Sequence, residues 1–243
     1  MIIAHNDSRL SWHGHVSLEQ TADYTRPWRI PFEQKELFYP DLAGCAGTQA
    51  GIRLAFHSNT QRLSGTIVPF EGAQNIDLYV NDAFFGTSDF AAKSTFSFKD
   101  IPVGENSLEL WLPHCNDFAL RQLEIDDNAT LSPHEDSRPK WITYGSSITH
   151  CGEASSPSFT WPGVVARGRD LNLTCLGYGG QCHLDIQIGR MMRDLPADYI
   201  SICAGINIYG SGTLNARSFG STLIGFVQLL REKHPETPLA LIS

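Results

Sequence analysis

Between Gly51 and Asp126 apolar and polar side chains alternate in short runs: GIRLAFHS, LSGTIVPF, NIDLYVND, STFSFKD, SLELWLP and FALRQLEID. A period of two places every second side chain on one face, which is the pattern of a strand with one buried surface. The runs break at Ser58-Asn59, Glu71-Gly72, Asn81-Asp82 and Val103-Gly104, residue types that suit tight turns, and no helical stripe separates them. Many short strands joined in this way predict an antiparallel β-sandwich of the jelly-roll kind over residues 1–132.

The stretch from Asp127 to Lys140, DNATLSPHEDSRPK, is polar, holds two prolines and has no periodicity. It predicts an interdomain linker, placed at residues 133–140. The rhythm then changes. WITYG, LTCLGY, YISICAG and PLALIS are short apolar runs, and between them FTWPGVVARGRDL, HLDIQIGRMMRDL and SFGSTLIGFVQLLREKH carry helical spacing. Apolar strands alternating with amphipathic helices predict βαβ units, here a flavodoxin-like parallel sheet over residues 141–243 covered by helices on both faces.

The chain has 243 residues, 42% of them hydrophobic, enough to bury cores for two domains of this kind. Its formal net charge of −8 leaves no basic face to neutralise phosphates. Nucleic acid and anionic membrane are therefore poor partners, and a small neutral or cationic substrate suits the charge better. Six cysteines, Cys45, Cys115, Cys151, Cys175, Cys182 and Cys203, show neither a Cys-x-x-Cys pair nor regular spacing, so free and mostly buried thiols are expected. The opening MIIAHNDSRLSWHGHV lacks the charged start and long apolar core of a secretory leader, and no run approaches the roughly 18 apolar residues of a membrane span. A cytoplasmic location is the expectation.

In open parallel sheets ligands bind at the carboxyl ends of the strands. Three of those ends are unusual: Tyr144-Gly145-Ser146-Ser147-Ile148-Thr149 after the first strand, Gly177-Tyr178-Gly179-Gly180-Gln181 after the second, and Ala204-Gly205-Ile206-Asn207 after the third. A serine at a strand-to-helix turn exposes its hydroxyl above the sheet. Glycines after the second strand let a main-chain N–H approach a reacting carbonyl, and an asparagine amide after the third adds a donor. Singly, each has a plainer reading: Ser147 as a helix N-cap, the glycines as a turn, Asn207 as a turn cap. A phosphate loop is excluded, because the glycines fit neither Gly-x-Gly-x-x-Gly nor Gly-Lys-Ser/Thr.

Taken in order, these blocks resemble the SGNH (GDSL-type) hydrolase family. Gly145-Ser146-Ser147-Ile148-Thr149 is similar to its first block, with serine in place of the aspartate, and the resemblance implies that Ser147 is the nucleophile. It implies Gly180 as a main-chain oxyanion donor, with Gly179 as the neighbouring register. Gly205-Ile206-Asn207-Ile208 is similar to the third block without its aspartate, so Asn207 is implied as the side-chain donor. The resemblance covers residues 141–243 and implies a serine esterase or acylhydrolase acting on a small ester or acylated carbohydrate. It also implies an alternative acyl transfer to an alcohol, and needs no metal or organic cofactor. A β-domain ahead of the catalytic one resembles a carbohydrate-binding or substrate-covering module in such enzymes.

The family's Asp-x-x-His block has no match, since no aspartate is followed three residues later by histidine. The expectation is a chain that stops at Ser243 before that block, with the base supplied from beyond it, and a catalytically impaired binding module is the rival reading. His150 and His183 are the histidines nearest the blocks, expected at the rim of the site. His5, His13, His15, His57, His114 and His134 are expected as surface or core residues without metal-ligand spacing. Tyr79, Phe84, Phe85 and Trp111 could line a sugar site, but their period-two spacing reads as core.

Overall fold

The computed structural model describes residues 1–70, 75–89 and 94–242; the break expected at Glu71-Gly72 lies outside them. The alternating runs form two antiparallel sheets. One has the order Ser17–Gln20, Thr25–Trp28, Leu120–Ile125, Arg62–Ile67, Thr95–Lys99, and the other Ser132–Pro133, Arg53–Ser58, Asn106–Trp111, Asn75–Val80, Ala83–Asp89. Ile2–Ala4 and Ser11–His13 add to Leu120–Ile125 and Arg53–Ser58. The inward side chains of both sheets, among them Leu54, Phe56, Leu63, Leu78, Leu108 and Leu123, make one buried cluster. Burial of such side chains removes roughly 25 cal/mol of unfavourable hydration per Å² of apolar surface, which is what the period-two pattern encodes. Tyr79 and Trp111 are buried as expected of core, whereas Phe84 is exposed and meets Tyr79 and Phe159 edge-on.

The parallel sheet has the order Asn172–Gly177, Lys140–Gly145, Tyr199–Cys203, Leu239–Ile242, that is 2-1-3-4 in chain order. This is the flavodoxin-like sequence of strands, whose switch point lies between the first and third. Helices Trp161–Gly168, Ile186–Asp194 and Ala216–Arg231 fill the crossovers, each shorter than its apolar run, because caps and prolines fix the ends. Thr160 accepts from the Gly163 N–H, and Asn215 forms a reciprocal capping box with Ser218. A six-residue helix, Ile206–Ser211, follows the third strand and was not foreseen from the pattern.

The segment from Trp28 to Ala46 packs away from the sandwich core. Trp28, Ile30, Phe38, Leu42 and Ala46 join Ile142, Tyr144, Leu176, Tyr178, Ile202 and Phe226 in the core of the parallel sheet. The short helix Pro40–Ala46 thereby lies against the α/β half. The polar stretch after Asp127 is also engaged: Ser132–Pro133 pairs with Arg53–Ser58, and Asp136 and Arg138 join Arg53 and Glu109 in a buried ion cluster. Among the described residues no helix is long and apolar enough to cross a membrane, and all six cysteines are free, with Cys175 and Cys182 buried and Cys115 exposed.

Candidate active site

Gly145 and Gly177 face each other in register, and Gly145 also faces Cys203, so the three strands end level with one another. Onto these ends packs the helix Ser147–His150. A methyl on Gly177 would stand 2.2 Å from the His150 nitrogen, and one on Gly145 would stand 2.1 Å from the Thr149 hydroxyl. The two glycines are therefore what allows the helix to sit directly on the sheet.

The cap of that helix is Ser146, not Ser147. Ser146 is fully buried and its hydroxyl accepts from the Ile148 N–H at 3.2 Å. Ser147 is exposed, and among the described residues neither its hydroxyl nor its main-chain N–H has a partner. The plain reading of Ser147 as an N-cap is thus replaced: its neighbour does the capping and leaves Ser147 free.

Beyond Gly177 the chain continues the ladder with the Tyr178 N–H on the Gly145 carbonyl at 2.8 Å, then turns, with the Gln181 N–H on the Tyr178 carbonyl at 3.1 Å. Gly179 runs beside the serine, where a methyl added to it would lie 3.9 Å from the Ser147 Cβ. Gly180 has φ +73°, the left-handed region that favours glycine. Among the described residues no acceptor takes the N–H of Gly179 or Gly180. The carbonyls of the same loop are held from outside: the Cys45 thiol donates to the Gly179 oxygen at 3.4 Å, and His183 Nε2 donates to the Gly180 oxygen at 3.0 Å. In a trans peptide the N–H points opposite to the carbonyl, so the Cys45 contact turns the Gly180 N–H away from Cys45.

After the third strand, Asn207 is half-buried and its Oδ1 accepts from the Cys182 N–H at 3.0 Å. A main-chain N–H only donates, which fixes the amide oxygen on that side and leaves the Asn207 NH₂ unengaged among the described residues. Ser147, Gly180 and Asn207 therefore each follow the end of one of three adjacent strands, around the switch point.

The two nearby histidines are otherwise occupied. His150 is buried and its Nε2 donates to the His114 carbonyl at 2.6 Å; burial, reinforced by the Arg29 charge, pushes its pKa down to about 4. His183 meets the Thr213 hydroxyl through Nδ1 at 2.9 Å while Nε2 is on Gly180. Among the described residues no hydrogen bond joins a histidine to Ser147. Beside Gly180 opens a cleft of about 600 Å³ lined by Tyr39, Leu42, Gln181, His183, Thr213 and Leu214.

Sequence reasoning missed two residues that hold this loop, Arg29 and Cys45. Arg29 donates to the Gly177 and Cys175 carbonyls from the N-terminal third. Its signal was a charged residue inside the apolar run Trp28-Arg29-Ile30.

Residues 139–243 match the GDSL-like lipase/acylhydrolase family, and residues 10–77 match the SsfX3 N-terminal domain family. No curated protein matches the chain. Among solved structures, the salicylyl-acyltransferase SsfX3 from a tetracycline biosynthetic pathway is 32% identical, with a TM-score of 0.92 over 98% of this chain and 71% of that one. A GDSL-like lipase structure from Bacteroides ovatus is 19% identical, with a TM-score of 0.79 over 99% and 73%. A family two carbohydrate esterase from Cellvibrio japonicus is 16% identical, with a TM-score of 0.68 over 99% and 78%. The last two share the fold. The likeness to SsfX3 extends across both halves of the molecule and, with the match of residues 139–243, shows that the chain belongs to the GDSL-like lipase/acylhydrolase family.

Proposed function

We propose that this chain transfers an acyl group from a small ester or acylated carbohydrate through an ester formed on Ser147. The observation that carries the reading is the unpartnered, exposed Ser147 hydroxyl beside the Gly179-Gly180 turn at the switch point of the sheet. Ser147 Oγ attacks the substrate carbonyl carbon and loses its proton to a base. The carbonyl oxygen becomes an oxyanion that accepts from the N–H groups of Ser147 and Gly180 and from the Asn207 NH₂. Collapse of the tetrahedral species expels the protonated alcohol and leaves the acyl group on Ser147, from which water or a second alcohol removes it. The 32% likeness to an acyltransferase supports an alcohol as acceptor alongside water.

Neither His150 nor His183 is placed on the Ser147 hydroxyl in this structure, each being hydrogen-bonded elsewhere. This bears on the test. When a triad lacks its base, removing the serine as well changes turnover little, since the members act as a unit. Hydrolysis of a p-nitrophenyl acetate is therefore measured with and without imidazole as a diffusible base, for the parent and for Ser147→Ala. Imidazole should raise turnover in the parent above that in Ser147→Ala, where only the solution reaction remains. Equal imidazole response in both proteins refutes the nucleophile. That same equality would support the rival reading, a binding module without turnover.

A further inference from the structure

Arg29 follows the strand Thr25–Trp28 and has no exposed surface. All five of its N–H donors are in use. Nε donates to the Thr48 carbonyl at 2.8 Å, Nη1 to the carbonyls of Gly177 and Cys175, and Nη2 to the Cys45 carbonyl and, at 2.8 Å, the Thr48 hydroxyl. The guanidinium lies 5.0 Å over the Tyr178 ring, whose hydroxyl donates to the Arg29 carbonyl at 2.7 Å. Every one of these acceptors is neutral.

The other fully buried arginine among the described residues is treated differently. Arg53 is paired with Glu109 and Asp136, both at 3.5 Å. Among the described residues Arg29 has no carboxylate partner. A buried charge without a counter-charge is unfavourable for folding, and neutral hydrogen bonds satisfy its donors without cancelling its field. Such a cation is poorly explained by stability, whereas its position is informative. It grips the Cys175 and Gly177 carbonyls of the strand that leads into Tyr178-Gly179-Gly180. It also grips Cys45, whose thiol holds the Gly179 carbonyl from behind.

We infer that Arg29 is a positioning residue for acyl transfer at Ser147: its guanidinium fixes the Cys175–Gly180 run, and its uncompensated charge favours the oxyanion that forms beside Gly180. The inference rests on the acyl-transfer reading of Ser147. The field already acts on neighbouring groups. Burial raises the pKa of Cys175 and Tyr178 and lowers that of His150, and at each the Arg29 charge pulls towards the deprotonated form. An oxyanion beside the same loop experiences the same pull in its favour. The arrangement also explains why the N-terminal segment packs into the α/β core, since it brings this cation to the back of the site.

The test is the rate at which the 243-residue chain is captured by a fluorophosphonate in the presence of imidazole, read by intact mass for the parent, Arg29→Lys, Arg29→Gln and Ser147→Ala. The phosphoryl oxygen of the adduct occupies the position of the oxyanion. Arg29→Gln should slow capture by about 10- to 100-fold, the scale of a misplaced catalytic group, and Arg29→Lys, which keeps the charge but not the five-donor fork, should recover part of that loss. Equal rates in parent, Lys and Gln variants overturn the inference, as does equal slowing of both variants in step with a lower denaturation midpoint. Should neither variant fold, Thr48→Val removes one acceptor and keeps the charge. A capture about threefold slower supports the positioning role, and the parent rate overturns it. Capture that persists in Ser147→Ala instead defeats the underlying acyl-transfer reading, so the two failures are distinct.

Discussion

Gly177→Ala probes the way the sheet carries Ser147. The added methyl would lie 2.2 Å from the His150 nitrogen, 2.5 Å from the Thr149 carbonyl carbon and 2.7 Å from the His150 Cα. All three are main-chain atoms, so no side-chain rotation relieves the contact. Carbon atoms settle at roughly 3.5–4.0 Å, so the helix Ser147–His150 must retreat by about 1 Å. Overpacking of this kind costs about 1–3 kcal/mol, which for a chain of this size lowers the melting midpoint by roughly 2–12 °C. Because the helix begins at Ser147, the same retreat moves its hydroxyl, and a displacement near 1 Å costs about 100-fold in rate. The assay pairs thermal denaturation with fluorophosphonate capture. Gly225→Ala is the control: it lies in the helix Ala216–Arg231 with nothing within 4 Å of the new methyl, and should stabilise by about 0.5–1 kcal/mol without changing capture. A Gly177→Ala protein with the parent's midpoint and capture rate would refute the packing argument.

Two other outcomes follow from the same geometry. Asn207→Asp keeps an oxygen for the Cys182 N–H but replaces the free NH₂ by negative charge; fluorophosphonate capture should fall by about 100- to 1000-fold with little change in denaturation midpoint, and an unchanged rate removes Asn207 from the oxyanion site. Acidification should destabilise the fold, because burial holds His13, His15 and His150 at about 4. Their pKa values are lowered on folding, so the unfolded chain takes up protons first. Stability is full above the unfolded value of about 6.5 and falls as pH drops towards 4; between pH 7 and 5.5 the three together remove about 4 kcal/mol, which urea denaturation at the two pH values will show or refute.

The strands were legible because burial on one face leaves a period of two in the sequence, and the parallel strands because burial on both faces leaves short apolar runs. The candidate site was legible as residue types at strand ends, Ser147, Gly180 and Asn207, whose roles remain the proposal. Local reading put the cap at Ser147 and the geometry moves it to Ser146, since both hydroxyls satisfy the same composition rule. The packing of Trp28–Ala46 against the parallel sheet depends on contacts across more than 100 positions, for which periodicity has no signal. The same holds for Arg29 and Cys45, whose roles rest on carbonyls of Cys175, Gly177 and Gly179 that every residue type presents alike.

The most direct test of the account is to incubate the chain with a fluorophosphonate, digest it and locate the adduct by mass spectrometry. The account predicts one adduct, on Ser147, slow alone, faster with added imidazole, and lost in Ser147→Ala. An adduct on another residue, or none in the presence of imidazole, would contradict it.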